Sequence, residues 1–461
     1  MSRRQIPIIQ LLFFIMLLLG IMMYSMFVLQ VEPHFPLLIS LLVLLLIGLI
    51  NKFSWNELEE GMVDGIKLAI KPLLILAIVG MLIAVWMMSG TIPTLIYYGL
   101  HVISPQWFAL SALFICIIVS TFTGSSFTTI GTIGIAMFGI GTALGIHPAL
   151  VAGAVISGAC FGDKMSPLSD TTNFASGISG VDIFEHIKHL SWTMIPALMI
   201  SIVFFIIIGS NVEPSTMADI NILIDSLEQS FTISFWTLLS PAFVIIFAIR
   251  RKPTLLALLV GLITGLLVAI TIQGVYEPKL WMETLQHGFH APITNDTIAT
   301  IVNRGGLQSM MWAISLIMIA LAFGGVVQKL GVLETLIESA LKRLKRTGDL
   351  IAATAATSIA VNTLTGEQYL SILIPGQMFP KLYEKQQIHV KNLSRTIEDA
   401  GTLVNPLIPW GVSGAFFTSV LGVSVIEYIP YAIFLFISPI LTVVFGYLGW
   451  GIAKSENRSA D

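Results

Sequence analysis

The stretch Gly158-Ala-Cys-Phe-Gly-Asp-Lys-Met-Ser-Pro-Leu-Ser-Asp-Thr-Thr-Asn173 decides how this chain is read. It follows directly on the apolar run Pro148–Phe161, so its polar groups begin at the depth an apolar helix has reached. Pro167 has no amide proton and Gly162 is conformationally permissive, so a helix is expected to break here. A break frees backbone carbonyls. Asp163, Ser166, Ser169, Asp170, Thr171 and Asn173 add side-chain oxygens. Such oxygens suit a small hard cation. A charge at the centre of a bilayer costs at least about 2.5–3.5 kcal/mol, so Asp163 needs a partner there. The plainer alternative is a cytoplasmic loop with Asp163 and Lys164 as an exposed pair.

The surrounding chain places this stretch in a membrane. Of 461 residues, 56% are hydrophobic and only 11% charged, and the mean hydropathy is +0.90. Soluble domains carry about 25% charged residues. Too few polar groups remain to cover a water-facing surface, which excludes a soluble fold. The net charge of -3 and the lack of a long basic run exclude nucleic-acid binding. Cys116 and Cys160 lie in apolar stretches, so they form neither a disulfide framework nor a zinc site. The runs are continuously apolar rather than alternating, which excludes a β-barrel. What remains is an all-α, polytopic helical membrane protein.

A spanning helix needs about 20 mostly apolar residues. The candidates are Pro7–Gln30, Phe35–Ile50, Pro72–Ser89, Phe108–Phe122, Pro148–Phe161, Ser191–Ser210, Phe231–Arg250, Pro253–Gly274, Leu307–Gln328, Leu350–Thr363, Lys391–Val404 and Tyr428–Ile452. Gly124–Gly145 and Gly366–Pro380 are too broken by Gly, Pro and Ser for ordinary spans and read as re-entrant segments. Arg3 and Arg4 precede a first span without a small-residue cleavage site, so it is read as retained rather than as a signal peptide. The positive-inside rule puts Arg3, Arg4, Lys52, Arg250, Arg251, Lys252, Lys342, Arg343, Lys345, Arg346, Lys454 and Arg458 in the cytoplasm. Asn211–Ser230, with Glu213, Asp219, Asp225 and Glu228 and no Lys or Arg, reads as an outside loop. Both termini then lie inside.

Two halves repeat. Gly90-Thr-Ile-Pro-Thr-Leu-Ile96 matches Gly331-Val-Leu-Glu-Thr-Leu-Ile337, and Thr123-Gly124 matches Thr365-Gly366 at an offset that also pairs Gly134 with Gly376. After a three-residue shift Gly162 pairs with Gly401 and Pro167-Leu168 with Pro406-Leu407. The expected division is 1–210, an acidic linker 211–230, and 231–461. One repeat starts inside and the other outside, so they are inverted. Inverted repeats with interrupted helices belong to secondary transporters, with the site where the halves meet.

The second half offers Glu398-Asp-Ala-Gly-Thr-Leu-Val-Asn-Pro-Leu-Ile-Pro409, with a break expected near 398–409. Thr402 and Asn405 are neutral oxygen donors. Adjacent carboxylates point to different sides of a helix, so one of Glu398 and Asp399 should face the site; Asp399 is preferred. One of them pairing only with Arg395 is the alternative. Thr123-Gly-Ser-Ser-Phe-Thr-Thr129 and Thr365-Gly-Glu-Gln-Tyr-Leu-Ser371 both read as hairpin tips. There Ser125, Ser126, Thr128 and Glu367 stand beside exposed helix ends that bind ions. Ser and Thr also serve as packing glue in membrane helices. Lys71 is expected to snorkel to the interface. His186 and His189 are expected in a loop. His-Glu-x-x-His and phosphate-loop motifs are absent from the sequence, which leaves a metalloprotease or an ATP motor without support.

Gly158–Asn173, Thr123-Gly-Ser-Ser, Met88-Ser-Gly-Thr-Ile-Pro-Thr and Glu398-Asp-Ala-Gly-Thr with Asn405-Pro together resemble the NhaC-type sodium/proton antiporter family, over nearly the whole chain. The resemblance implies a bacterial inner-membrane antiporter of the ion-transporter superfamily, with paired re-entrant hairpins and elevator-type motion. The expected activity is Na+ extrusion in exchange for H+, with no cofactor and no enzymatic step. Asp163, Asp399 and Glu367 are the expected Na+ contacts, with Ser166, Asp170, Asn173, Ser125, Ser126, Thr128, Thr402 and Asn405 around them. The rival is a Na+-coupled exchanger of a small organic acid, such as malate for lactate, or of an amino acid. Na+, H+, lipid, a small organic anion and a second copy of the chain are the expected partners.

Overall fold

The structure, a computed structural model, describes residues 8–210, 217–290, 303–332 and 346–455. Among these the regular elements are helical, and one isolated bridge joins Ile388 to Lys454. Among the described residues six helices are long and apolar enough to cross a membrane: Ile70–Met88, Pro105–Thr123, Ser126–Ala143, Ile183–Gly209, Thr254–Thr271 and Leu307–Lys329. The count rises to 8 if two bent pairs each make one span, Ile220–Ser230 with Phe235–Ile249 and Val412–Leu421 with Val425–Tyr431. The chain is a multi-pass helical membrane protein. The other apolar stretches form shorter or interrupted helices, because hydropathy counts apolar residues and not unbroken turns.

Two expectations change. Part of the supposed loop Asn211–Ser230 is the helix Met217–Ser230; residues 211–216 lie outside the described residues, as do Arg3, Arg4, Lys342, Arg343, Lys345 and Arg458. His186 and His189 are buried in the long helix Ile183–Gly209, which Asp182 caps through the Phe184 and Glu185 amides.

Several contacts recur in the two halves at one sequence offset. Helix Phe108–Thr123 ends on Gly124 at φ 64, and Ser126–Ala143 packs back on it. Helix Thr347–Thr365 ends on Gly366 at φ 68, and Gln368–Met378 packs back on it. A left-handed turn of this kind favours glycine. Behind each hairpin lies a broken helix. Pro148–Lys164 runs through Gly162 and stops before Pro167, and Asp170–Ile178 follows. Lys391–Gly401 stops, and Val412–Leu421 follows. Ser120 donates to the Ala159 carbonyl at 2.6 Å, and Asn362 donates to that of Gly401. A Cβ on Gly124 would meet Leu168, and one on Gly366 would meet the Trp410 carbonyl. The offset that relates Gly124 to Gly366 therefore also relates Ser120 to Asn362, Ala159 to Gly401 and Leu168 to Trp410. Contacts keep this offset through the break, so Pro167 corresponds to Pro409 rather than to Pro406.

Candidate functional site

The first hairpin tip and the first break face a cleft of about 340 Å³. Thr123, Gly124, Ser125, Asp163, Asp170 and Tyr369 line it, and Arg251 and Lys252 stand among its further lining residues. Tyr369 belongs to the first turn of Gln368–Met378, so both hairpins reach the cleft. Beneath it lies a buried cluster of three charged residues. Asp163, Lys164 and Glu398 are 6%, 3% and 0% exposed. The Lys164 ammonium lies 3.7 Å from Asp163 Oδ2 and 3.2 Å from Glu398 Oε1, and donates to Thr171 Oγ1 at 2.6 Å. Thr172 donates to Glu398 Oε1 at 3.3 Å. Ser126 donates to Asp163 Oδ2 at 2.9 Å. Asp163 Oδ1 and Glu398 Oε2 are buried with no hydrogen-bond partner among the described residues. The exposed-pair reading of Asp163 and Lys164 is thereby excluded.

Helix geometry decides which second-half carboxylate joins this cluster. Successive residues point about 100° apart around a helix. Glu398 faces Lys164, and Asp399 faces the other way. Thr193 donates to Asp399 Oδ2 at 2.8 Å, Ser438 to Oδ1 at 3.1 Å, and Thr442 to Oδ2. The second-half carboxylate in this cluster is therefore Glu398, and not Asp399, the one preferred from the sequence. Asp399 sits instead in a separate polar node between Lys391–Gly401, Ile183–Gly209 and Ile433–Leu448. Arg395, one turn earlier, donates to the Gly451 carbonyl at 2.9 Å. His186 and His189 join the same node through Ser394 and Asn392. Among the described residues no group of three or more His, Cys, Asp and Glu is placed to hold a metal ion.

The other expected site residues divide. Asp170 opens its helix at the cleft rim, 3.3 Å from Lys71 Nζ and 2.8 Å from the Tyr369 hydroxyl. Ser125 accepts from the Thr128 amide and hydroxyl, capping Ser126–Thr129. Ser166 donates to the Thr121 carbonyl, and Asn173 is turned to the Pro167 and Ser169 carbonyls. Both brace the break rather than the cluster. Thr402 bonds its own helix at Glu398 O. Asn405 braces the second tip by donating to Gly366 O at 2.9 Å. Glu367 accepts from the Leu370 amide at 2.8 Å and caps Gln368–Met378. Replacing Glu367 by alanine should cost about 0.5–2 kcal/mol of stability, as loss of a cap does, and by glutamine less, since an acceptor remains. Thermal unfolding in detergent checks this; equal melting of all three proteins would remove the cap.

Lys164 and Glu398 are the residues that sequence reading placed least well. The signal for Lys164 was its position beside Asp163 in an apolar helix, where an unpaired ammonium is as costly as a carboxylate. Tyr369 carried no signal, because its role comes from the other hairpin.

A helical membrane protein with a buried acid–base cluster at a hairpin tip is the class that this architecture defines. A profile of the Na+/H+ antiporter family matches residues 158–450. The chain is 59% identical to the Na+/H+ antiporter NhaC of Alkalihalophilus pseudofirmus, over 96% of this chain and 97% of the relative. It is 48% identical to the Na+/H+ antiporter NhaC of Bacillus subtilis, over 94% and 96%. It is 34% identical to the malate-2H+/Na+-lactate antiporter of Bacillus subtilis, over 97% of each. The chain belongs to the Na+/H+ antiporter family.

Proposed function

We propose that this protein exchanges Na+ for H+ across a bacterial cell membrane, with Asp163, Lys164 and Glu398 as the ion-handling group. The observation that carries the reading is the charge of that group. Two ionised carboxylates and one ammonium leave one negative charge in excess, away from water. A buried net charge is costly. One proton or one Na+ removes it, and occupancy by either makes the other unnecessary. Mutual exclusion at one site is what an antiporter needs. Ser126 and the unpartnered Asp163 Oδ1 supply oxygens of the kind a hard cation takes.

Alternating access then follows from the paired hairpins. The matched contacts support two structurally equivalent halves, which we read as inverted in the membrane, with both termini cytoplasmic and the Asp163 cleft facing inward. The basic residues Arg251 and Lys252 at the cleft mouth support that orientation. Elevator-type movement of the hairpin-bearing part fits this arrangement.

The same basic residues, with Lys71, favour a second reading in which a small organic anion enters with the cation. The relative that exchanges malate and lactate is in keeping with it. Proteoliposomes carrying a pH-sensitive dye separate the two. Adding Na+ alone should move protons, and added malate or lactate should change nothing. A proton flux that appears only with an organic acid would replace the first reading by the second.

A further inference from the structure

The two halves differ in how the hairpin tip meets its broken helix. In the second half the hairpin tip is clamped to its broken helix. Asn405 Nδ2 and the Val412 amide both donate to the Gly366 carbonyl, each at 2.9 Å. Asn405 is itself fixed, donating to Asn362 Oδ1 and accepting from the Ser413 amide at 2.7 Å each. In the first half, at the same offset, Gly124 replaces Gly366, Asp163 replaces Asn405 and Asp170 replaces Val412. Among the described residues no corresponding bond joins the Gly124 carbonyl to Asp163 or to the Asp170 amide. Gly124 and Asp163 instead both line the cleft.

The chemistry explains the difference. An asparagine amide carries two N–H donors; an ionised aspartate carries none. A carboxylate and a carbonyl are both acceptors, and neither can close on the other without a donor or a cation between them. Asp163 Oδ1 is buried and unpartnered, although its residue is only 6% exposed. Lys164 does not fill this role: its ammonium lies 3.7 Å from Oδ2 rather than bonding Oδ1, and its shorter contacts are to Thr171 and Glu398. The other titratable groups at the cleft are Asp170, Tyr369, Lys71, Arg251 and Lys252. Lys71 is paired with Asp170 at 3.3 Å, and among the described residues no ion pair joins Arg251 or Lys252 to Asp163.

We propose that a monovalent cation, Na+ or H+, bridges the Asp163 carboxylate and the Gly124 carbonyl, and so closes the first hairpin tip as the Asn405 amide closes the second. This deepens the reading of the cleft as the ion site and rests on it. Binding of the ion and closure of the tip are then one event. An empty first half stays open to the cleft, which prevents the return of an unloaded carrier and enforces exchange. The second half, carrying an amide, closes without an ion.

The test uses the full-length protein with Cys116 and Cys160, both buried and unpaired, replaced by alanine. Thr123 lines the cleft at the tip, and a Thr123→Cys substitution gives a reporter there. Labelling by a hydrophilic maleimide is followed in detergent, in choline or in Na+ at equal ionic strength. Na+ is expected to slow labelling about tenfold, which requires about 1.4 kcal/mol of preference for the closed tip. Adding Asp163→Asn should install the clamp without an ion, so labelling is slow in both media. Adding Asp163→Ala, with neither charge nor amide, should leave labelling fast in both. Equal rates in choline and Na+ for the Asp163 protein would overturn the proposal without recourse to either variant. So would an Asp163→Asn protein that labels as fast as the alanine one. Exchange in proteoliposomes is measured in parallel. Exchange with Na+-insensitive labelling sinks the bridge alone, and Na+-slowed labelling without exchange keeps the bridge and sinks the antiport reading.

Discussion

Replacing Lys164 by methionine is expected to lower stability by about 3–5 kcal/mol and to abolish Na+-driven proton movement. Methionine keeps most of the length of the side chain, so the loss isolates the charge. The ammonium stands between Glu398, at 3.2 Å, and Asp163, at 3.7 Å, and all three residues are buried. Without it two carboxylates share a site with no counter-charge, which is the costly way to break a buried ion network. Protonating a carboxylate removes one of those charges. The deficit of the Lys164→Met protein should therefore shrink as pH falls and grow as pH rises. Thermal unfolding of the two purified proteins across a pH series checks both the size and the sign. Identical melting at every pH would mean that the ammonium is solvated, and the ion cluster would lose its centre.

A second large effect is expected where helix Trp55–Lys67 crosses Leu307–Lys329. A Cβ placed on Gly65 would stand 2.0 Å from the Leu321 carbonyl oxygen, and one on Gly325 would stand 2.0 Å from that of Gly61. Both obstacles are backbone atoms, so no rotamer change relieves the overlap and the helices must separate. Overpacking of this kind costs about 1–3 kcal/mol, and the upper end applies where backbone has to move. Close approach through small residues is a usual device of membrane helix pairs. Gly65→Ala and Gly325→Ala should each melt well below the parent protein. Gly177→Ala, with nothing within 4 Å of the added carbon, is the matched control and should melt at or slightly above the parent, since alanine is the better helix former. If Gly65→Ala and Gly177→Ala melted alike, the crossing would be looser than described.

The repeat was legible because its marks are local. Glycines that end a helix in a left-handed turn, and a proline that stops the next one, keep their spacing whatever surrounds them. The three-residue shift came from matching letters. Pro406 and Pro409 both lie after Gly401, and the packing of Gly366 on Trp410, at the offset that the Ser120–Ala159 and Asn362–Gly401 contacts share, shows which of them stands where Pro167 stands. Glu367 was read as an ion contact because an acid at a buried tip invites that reading. A carboxylate at a helix start also satisfies free amides, and the Leu370 amide is what it meets.

Composition and breaker placement by themselves determined the class, the helical fold, the turns at Gly124 and Gly366 and the break after Asp163. Each of these follows from short-range rules: apolar length, missing amide protons, permissive glycine. Tertiary structure alone decided that Lys164 is buried, that Glu398 rather than Asp399 meets it, and that Asn405 clamps one tip while Asp163 leaves the other open. The physical reason is angular. Neighbouring residues on a helix differ by about 100° in direction, and the charge partners lie hundreds of positions apart in the chain. Which of two adjacent carboxylates finds an ammonium is set by how the helices are rotated against one another, and that rotation is a property of the whole packed core.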